Sequence, residues 1–359
     1  MNHIRVSRRA MIGATLALPV FAANPLARNA GHAQESVVAI MVTGGAGLGD
    51  QDFNDLMNEG GTVGAAEFGA AWRVIESAGP SDYVPNLTAA AEQGQLVVAA
   101  GFLLTEAIET VASQFPNRFF TLIDSAVDLP NVQSVVYRMQ EAAFLGGVAA
   151  GLTTKTNVLG FVGGERIPPV MRSEIGFRAG VSAVNADADV LVAYVDSFDD
   201  SETGKMLALE QFNKGADILY PVAGLSENGC YEAVAELKNL GEQWVIASDV
   251  TQDHAAPGFE LAVCRKGVDT AAYRAVQQVV QGNFEPGTND LGLGTEPVGF
   301  DNPDIGVGFE DPNNRVAEDV REIVAEYQMR IVEGTLVVPQ TYDELESHQS
   351  GTPATTQSG

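Results

Sequence analysis

The sequence predicts an α/β protein of two lobes, each a parallel sheet flanked by helices, and three observations carry that expectation. Short apolar runs alternate with segments whose apolar residues recur every three or four positions, which is strand and helix in turn. The runs are continuously apolar rather than alternating, as in strands covered on both faces. With 359 residues, 45% of them apolar, the chain can bury a sizeable core and is long for one domain at roughly 150 residues each.

The pattern opens with an apolar run from Val37 to Val42, a glycine-rich turn from Gly44 to Gly49, and a helix over Asp52 to Ala71. Further strands are read at Leu96 to Ala100, Phe119 to Ile123, Val132 to Val136, Val158 to Val162, Val190 to Val195, Ile218 to Val222, Trp244 to Ala247 and Leu261 to Val263. Helical spacing marks Glu106 to Phe115, Gln140 to Leu152, Gly176 to Val184, Thr203 to Lys214, Tyr231 to Leu240, Val268 to Val280 and Arg315 to Val332. A second sheet is expected to begin near Gln140, and the chain to return to the first after Ala255. Lobe I is thus assigned residues 34–138 with about 252–298, and lobe II about 139–251 with 299–340. Residues 341–359, rich in Ser, Thr and Gln toward the end, read as a flexible tail.

Residues 1–33 read as an export signal. Ser7-Arg8-Arg9 precedes a short apolar stretch, Ala14 to Ala23, which matches a twin-arginine leader and is far below the ~20 residues a membrane span needs. Candidate cleavage sites follow Ala22 and Ala33, and the leader holds no cysteine for lipid attachment, so a periplasmic or other extracytoplasmic protein, not a lipoprotein, is expected. Lys plus Arg total 20 against 47 Asp plus Glu, a formal charge of −27. Removing the leader's four arginines leaves 16 − 47 = −31. Such acidity argues against nucleic-acid phosphate or anionic lipid as a partner, and the sequence predicts no stable membrane insertion.

Several chemistries lack their residues. The body of the chain holds one histidine, His254, read as a surface residue, and no G-x-S-x-G or His-Glu-x-x-His motif. The Gly44–Gly49 turn sits where a dinucleotide fingerprint would, but the third glycine position is Asp50, whose charge would repel a pyrophosphate. Cys230 and Cys264 either form one pair or are two buried apolar residues. No cofactor or metal is implied.

In open parallel sheets ligands bind beyond the carboxyl ends of the strands. The polar and aromatic residues there are Asp50, Phe53 and Asn54 after the first strand, then Phe102, Asp124, Phe198, Gly224, Asp249 and Lys266. Asp196 and Arg265 fall at strand ends as well. Aromatic rings stack on a flat ligand and carboxylates accept hydrogen bonds from hydroxyl and N–H groups, so the set suits an uncharged ligand of that kind. Each residue alone has an ordinary structural explanation: an aspartate after a strand caps helices, and a phenylalanine fills cores.

Taken in order, Asp50-Gln51-Asp52-Phe53-Asn54, Ala100-Gly101-Phe102, Leu122-Ile123-Asp124, Glu141 through Gly147, Gly160 through Gly164, Gly176 through Val181, Gly215 through Tyr220, Val222-Ala223-Gly224 and Lys266-Gly267-Val268-Asp269 resemble the basic membrane protein family of substrate-binding proteins, which includes purine nucleoside receptors of ABC importers. The resemblance runs from about Val37 to Pro339. It implies a two-lobed periplasmic-binding fold with the ligand in the interlobe cleft, and a non-enzymatic receptor that hands a nucleoside to an ABC transporter permease. It further implies that Phe53 and Phe198 sandwich the base, that Asp124 and Asn54 bond its polar edge, and that Gly224, Asp249 and Lys266 hold the ribose. Asp249 and Lys266 are expected to act as a pair, one from each side of the cleft. Gly44 stands where the family often has an aspartate, which bears on base preference. A ligand-sensing partner of a membrane receptor would carry the same pocket. A nucleoside-cleaving enzyme would need a run of aspartates that the first strand lacks.

Overall fold

A computed structural model describes residues 36–237 and 242–349 of the chain. The leader with both candidate cleavage sites, the last residues of the helix expected to end at Leu240, and residues 350–359 lie outside the described residues.

Lobe I begins β1 (Val38–Thr43), α1 (Phe53–Phe68), β2 (Ala71–Ile75), α2 (Pro80–Gln93), β3 (Leu96–Ala100), α3 (Thr105–Gln114), β4 (Phe119–Ile123) and β5 (Val132–Tyr137). Lobe II continues α4 (Met139–Thr153), β6 (Val158–Gly163), α5 (Pro168–Val184), β7 (Asp189–Tyr194), α6 (Ser201–Asn213), β8 (Ile218–Val222), α7 (Glu227–Leu237), β9 (Trp244–Asp249) and β10 (Glu260–Lys266). The chain then gives α8 (Val268–Gln281), β11 (Gly287–Leu291), β12 (Val307–Glu310), α9 (Glu318–Val332) and α10 (Tyr342–Gln349). One six-stranded sheet runs β11-β5-β4-β3-β1-β2 and the other β12-β10-β9-β8-β6-β7. Every pairing is parallel except β10 with β12.

The return to lobe I comes later than expected. β10 is hydrogen-bonded between β9 and β12, so residues 260–266 belong to the second sheet, and the chain crosses back only after Lys266. Helix α8 then packs on α1 and beneath β3 and β4. The sequence showed an apolar run at Leu261 to Val263 but not which sheet it joins, because that choice is made by edge pairing rather than composition. Strands β2, β11 and β12 and helix α2 were not anticipated. β11 is polar and exposed along most of its length and is held by its ladder to β5, Gly287 opposite Gln133 through Leu291 opposite Tyr137.

One helix start and the expected tail differ for local reasons. α5 starts at Pro168 rather than Gly176, because prolines at the first two helical positions lack donors the helix cannot use there. The segment expected to be flexible begins with α10, whose Leu345 is 1% exposed and whose Tyr342 hydroxyl donates to Glu174 at 2.6 Å. Helices α4 and α5 approach until a Cβ at Gly176 would lie 2.2 Å from the Gln140 carbonyl, and one at Gly180 2.0 Å from that of Phe144. The Gly176–Val181 motif is therefore a packing seam. Cys230 and Cys264 are both free and buried.

Candidate functional site

In each sheet the strand order reverses beside the first strand of its lobe: β2-β1-β3 in one, β7-β6-β8 in the other. Crevices beyond the carboxyl ends of strands form at such points. The two crevices face each other across one cavity, which holds about 780 Å3 of empty space, part of it open to solvent. All nine residues singled out from the sequence line it: Asp50, Phe53, Asn54, Phe102 and Asp124 from lobe I, and Phe198, Gly224, Asp249 and Lys266 from lobe II. Past Phe102 and Phe198 the cavity opens into a wider groove lined by Tyr83, Glu106, Glu165 and Asp199.

Asp50 is 1% exposed and uses both carboxylate oxygens on its own loop. Oδ1 accepts from the backbone N–H groups of Asp52 and Asp55, and Oδ2 from the backbone and side-chain nitrogens of Asn54, all between 2.8 and 3.1 Å. It thereby caps the start of α1 and orients Asn54. With its Nδ2 committed to Asp50, Asn54 presents an Oδ1 that is buried and has no partner in the protein.

Asp124 and Asp249 both adopt left-handed backbone, φ 63° and 56°, a conformation rare outside glycine that aspartate tolerates better than most residues. The expected pairing is corrected here. Asp249 and Lys266 are not on opposite sides of the cleft: they end neighbouring strands of the second sheet, with Arg265 opposite Asp249 in the ladder. The ammonium of Lys266 instead reaches across to Asp124 Oδ2 at 2.5 Å, a buried ion pair between the lobes. It also lies 5.0 Å from the centre of the Phe53 ring. Burial alone would lower the lysine, but Asp124 and Asp249 outweigh it and hold the ammonium above its ordinary range. Burial pushes Asp249 up to about 6, opposed by Lys266 and reinforced by Asp124.

The aromatic walls rest on glycines. An added Cβ at Gly101 would sit 3.6 Å from the Phe53 ring, and one at Gly164 only 2.5 Å from that of Phe198. Phe198 also covers Gly224, whose φ is 55°. Met139, Ile167, Pro169 and Val170 add an apolar stretch to the wall. Sequence reasoning missed these because it collected only polar and aromatic residues beyond the strand ends. It also missed Asp52, Ser248 and the fully buried Glu227, which lies behind Ser248 and accepts from Ala223 N, the Ser248 hydroxyl and the Tyr231 hydroxyl. Burial drives Glu227 up to about 8, with the charge of Asp249 adding to it. At the rim Gln252 donates to the Gln51 carbonyl at 2.7 Å, and exposed His254 approaches the Gln51 side chain at 2.5 Å.

Two α/β lobes around a cavity walled by strand ends are the architecture of solute-binding proteins, and the family comparison gives the class. Residues 37–341 match the family described as ABC transporter substrate-binding protein PnrA-like, so the chain belongs to the Bmp family of these proteins. It is similar to the ABC transporter nucleoside-binding protein BmpA of Lactococcus lactis, 30% identical over 86% of this chain and 91% of that one. A CD4+ T-cell-stimulating antigen of Listeria monocytogenes is 33% identical over 84% of this chain and 87% of its own. A crystal structure of an ABC transporter solute-binding protein from Aeropyrum pernix superposes with a TM-score of 0.78 at 27% identity, covering 88% of this chain and 98% of the other. Proteins of this family act outside the cytoplasm, and some relatives, from Pyrococcus species, are named lipoproteins. No helix among the described residues is long and apolar enough to cross a membrane.

Proposed function

We propose that this protein is a non-enzymatic receptor that captures a nucleoside, preferentially a purine nucleoside, and delivers it to an ABC importer. The observation that carries the reading is one cavity with Phe53 in the wall of one lobe, Phe198 in the wall of the other, and the Asp124–Lys266 pair joining the lobes between them. Rings suit a base, while carboxylates and an ammonium suit ribose hydroxyls, which both donate and accept. The nucleoside-binding name of the Lactococcus relative points the same way. In this reading Phe53, Phe102 and Phe198 face the base, Asn54 and Asp124 its polar edge, and Gly224, Asp249 and Lys266 the sugar, while Asp50 acts by fixing Asn54.

A thermal-shift and calorimetric screen of residues 34–359 against inosine, adenosine, free bases, ribose and nucleoside monophosphates tests it. A ligand at 100 times its Kd stabilises by about 2.7 kcal/mol, which is easily detected. A protein that binds a monophosphate or a free sugar while ignoring nucleosides would not be this receptor. Export through the twin-arginine route, without lipid attachment, belongs to the same proposal. Arg8→Lys with Arg9→Lys should leave the precursor inside the cell on fractionation, because lysine lacks the planar guanidinium. Normal export of that variant, or lipid labelling of the wild type, would point to another route.

A further inference from the structure

Asp52 holds the N-cap position of α1, where an aspartate ordinarily accepts a hydrogen bond from the first turn of the helix. Here it makes none: its backbone sits at φ −142°, ψ −122°, and its side chain takes no cap bond. Asp50 receives the N–H groups of Asn54 and Asp55 in its place. Asp52 lines the ligand cavity, is 2% exposed, and its Oδ1 is buried without a partner in the protein. Two residues on, Asn54 Oδ1 is in the same condition. A buried oxygen left unmatched costs far more than a satisfied one, so two on a single turn facing a cavity imply that something entering the cavity supplies the donors.

We propose that Asp52 is a further ligand-contacting residue of the cleft, its Oδ1 accepting a hydrogen bond from an N–H or O–H group of the bound nucleoside beside the one accepted by Asn54. The inference rests on the nucleoside reading above. The surroundings of Asp52 also set its charge. Asp50 stands beside it on its own loop, Glu227 faces it from the start of α7, and Asp249 faces it from the end of β9. The cation that acts on it, Lys266 at the end of β10, is already bonded to Asp124 after β4. Burial first, then Glu227, Asp249 and Asp50, hold the Asp52 carboxyl well above its ordinary range, against the smaller opposing effect of Lys266. These influences favour the protonated carboxyl. Such a group keeps one oxygen as an acceptor and adds an O–H donor, which suits an edge that presents both functions.

The test is calorimetric titration of wild type, Asp52→Asn and Asp52→Ala with inosine and adenosine at pH 6 and pH 8. Melting curves confirm that both variants fold. Asp52→Ala should weaken binding roughly 10- to 100-fold, the effect of stranding a ligand donor in a dry site. Asp52→Asn, which keeps the shape and hydrogen-bonding capacity of the neutral acid, should bind within about threefold of wild type at pH 6. Wild-type binding matched within twofold by Asp52→Ala overturns the contact, and Asp52→Asn as weak as Asp52→Ala overturns the neutral acid. Wild type that binds neither nucleoside at either pH instead removes the nucleoside reading, and this inference with it.

Discussion

Strand β4 of lobe I is followed by Asp124 and strand β9 of lobe II ends on Asp249, both with left-handed backbone, and the likeness goes further. In the orders β2-β1-β3-β4-β5 and β7-β6-β8-β9-β10 these strands occupy matching places. So do β3 and β8, each followed by a glycine of positive φ, Gly101 and Gly224, and a single turn of 3-10 helix. The lobes part company at β5 and β10. β5 ends on Tyr137, whose hydroxyl donates to the Gly267 carbonyl at 3.0 Å, whereas β10 ends on Lys266. Both are points where the chain crosses between lobes. The backbone devices are thus repeated wherever the same sheet topology demands the same exit, while Lys266, the one cation lining the cavity among the described residues, is placed once. Lobe I brings carboxylates to the cleft, and lobe II brings carboxylates and the charge that balances one of them.

The largest break in that comparison should come from Lys266→Met. It leaves Asp124 buried without its partner and Asp249 with one neighbouring cation fewer, which costs about 3–5 kcal/mol, while Tyr137→Phe at the matching place loses one hydrogen bond and costs about 1 kcal/mol. Urea unfolding of the two variants measures the gap, and equal midpoints would mean that the difference between the lobes carries no energy.

Next in size is the pH dependence of stability that the lobe II acids create. Glu227 keeps its proton in the folded protein up to about pH 8 but sheds it near 4.5 when unfolded. Asp249 follows the same pattern, with a folded value of about 6 against 3.8. Groups raised in this direction contribute stability that is complete below their unfolded values and is lost as pH climbs through the folded ones. Unfolding free energy should therefore drop by several kcal/mol from pH 5 to pH 9, and Glu227→Gln should flatten much of that slope. A wild-type profile that rises over this range would show that these acids are ionised in the folded protein.

The aromatic walls should prove more nearly equivalent. Phe53→Ala and Phe198→Ala are each expected to weaken nucleoside binding by about 1–3 kcal/mol, the worth of one stacked base, with the fold retained. Should either bind normally while losing several degrees of melting temperature, that ring is core rather than site. The smallest effect belongs to the rim. His254→Ala removes an exposed contact to Gln51, and calorimetry should show a change in binding of less than about 1 kcal/mol; a larger loss would mean that the rim takes part in holding the ligand.

The candidate site was legible because it follows a rule about strand ends, and an apolar run can be seen to stop. Asp50, Phe53, Asn54, Asp124 and Phe198 each come just after such a run, and each lines the cavity. The same rule could not separate Asp50, whose oxygens serve its own loop, from Asp52, whose Oδ1 is left bare, because both are aspartates before one helix. It passed over Ile167 and Val170, which follow β6, because it collected only polar and aromatic residues. Glu227 was beyond reach as well, since a glutamate opening a helix gives no sign that Ser248 and Tyr231 from elsewhere will close over it.

By itself the sequence determined that there would be two parallel sheets with helices on their faces, and roughly where each long strand and helix would run. Those features depend on periodicity and local propensity, which neighbours in the chain decide. Only the tertiary structure decided that β10 joins the second sheet, that the polar β11 becomes a strand at all, and that Lys266 pairs with Asp124 rather than with Asp249. Edge pairing and charge pairing join residues far apart in sequence, 142 positions for Lys266 and Asp124, and no local pattern records which partner the fold will bring within reach.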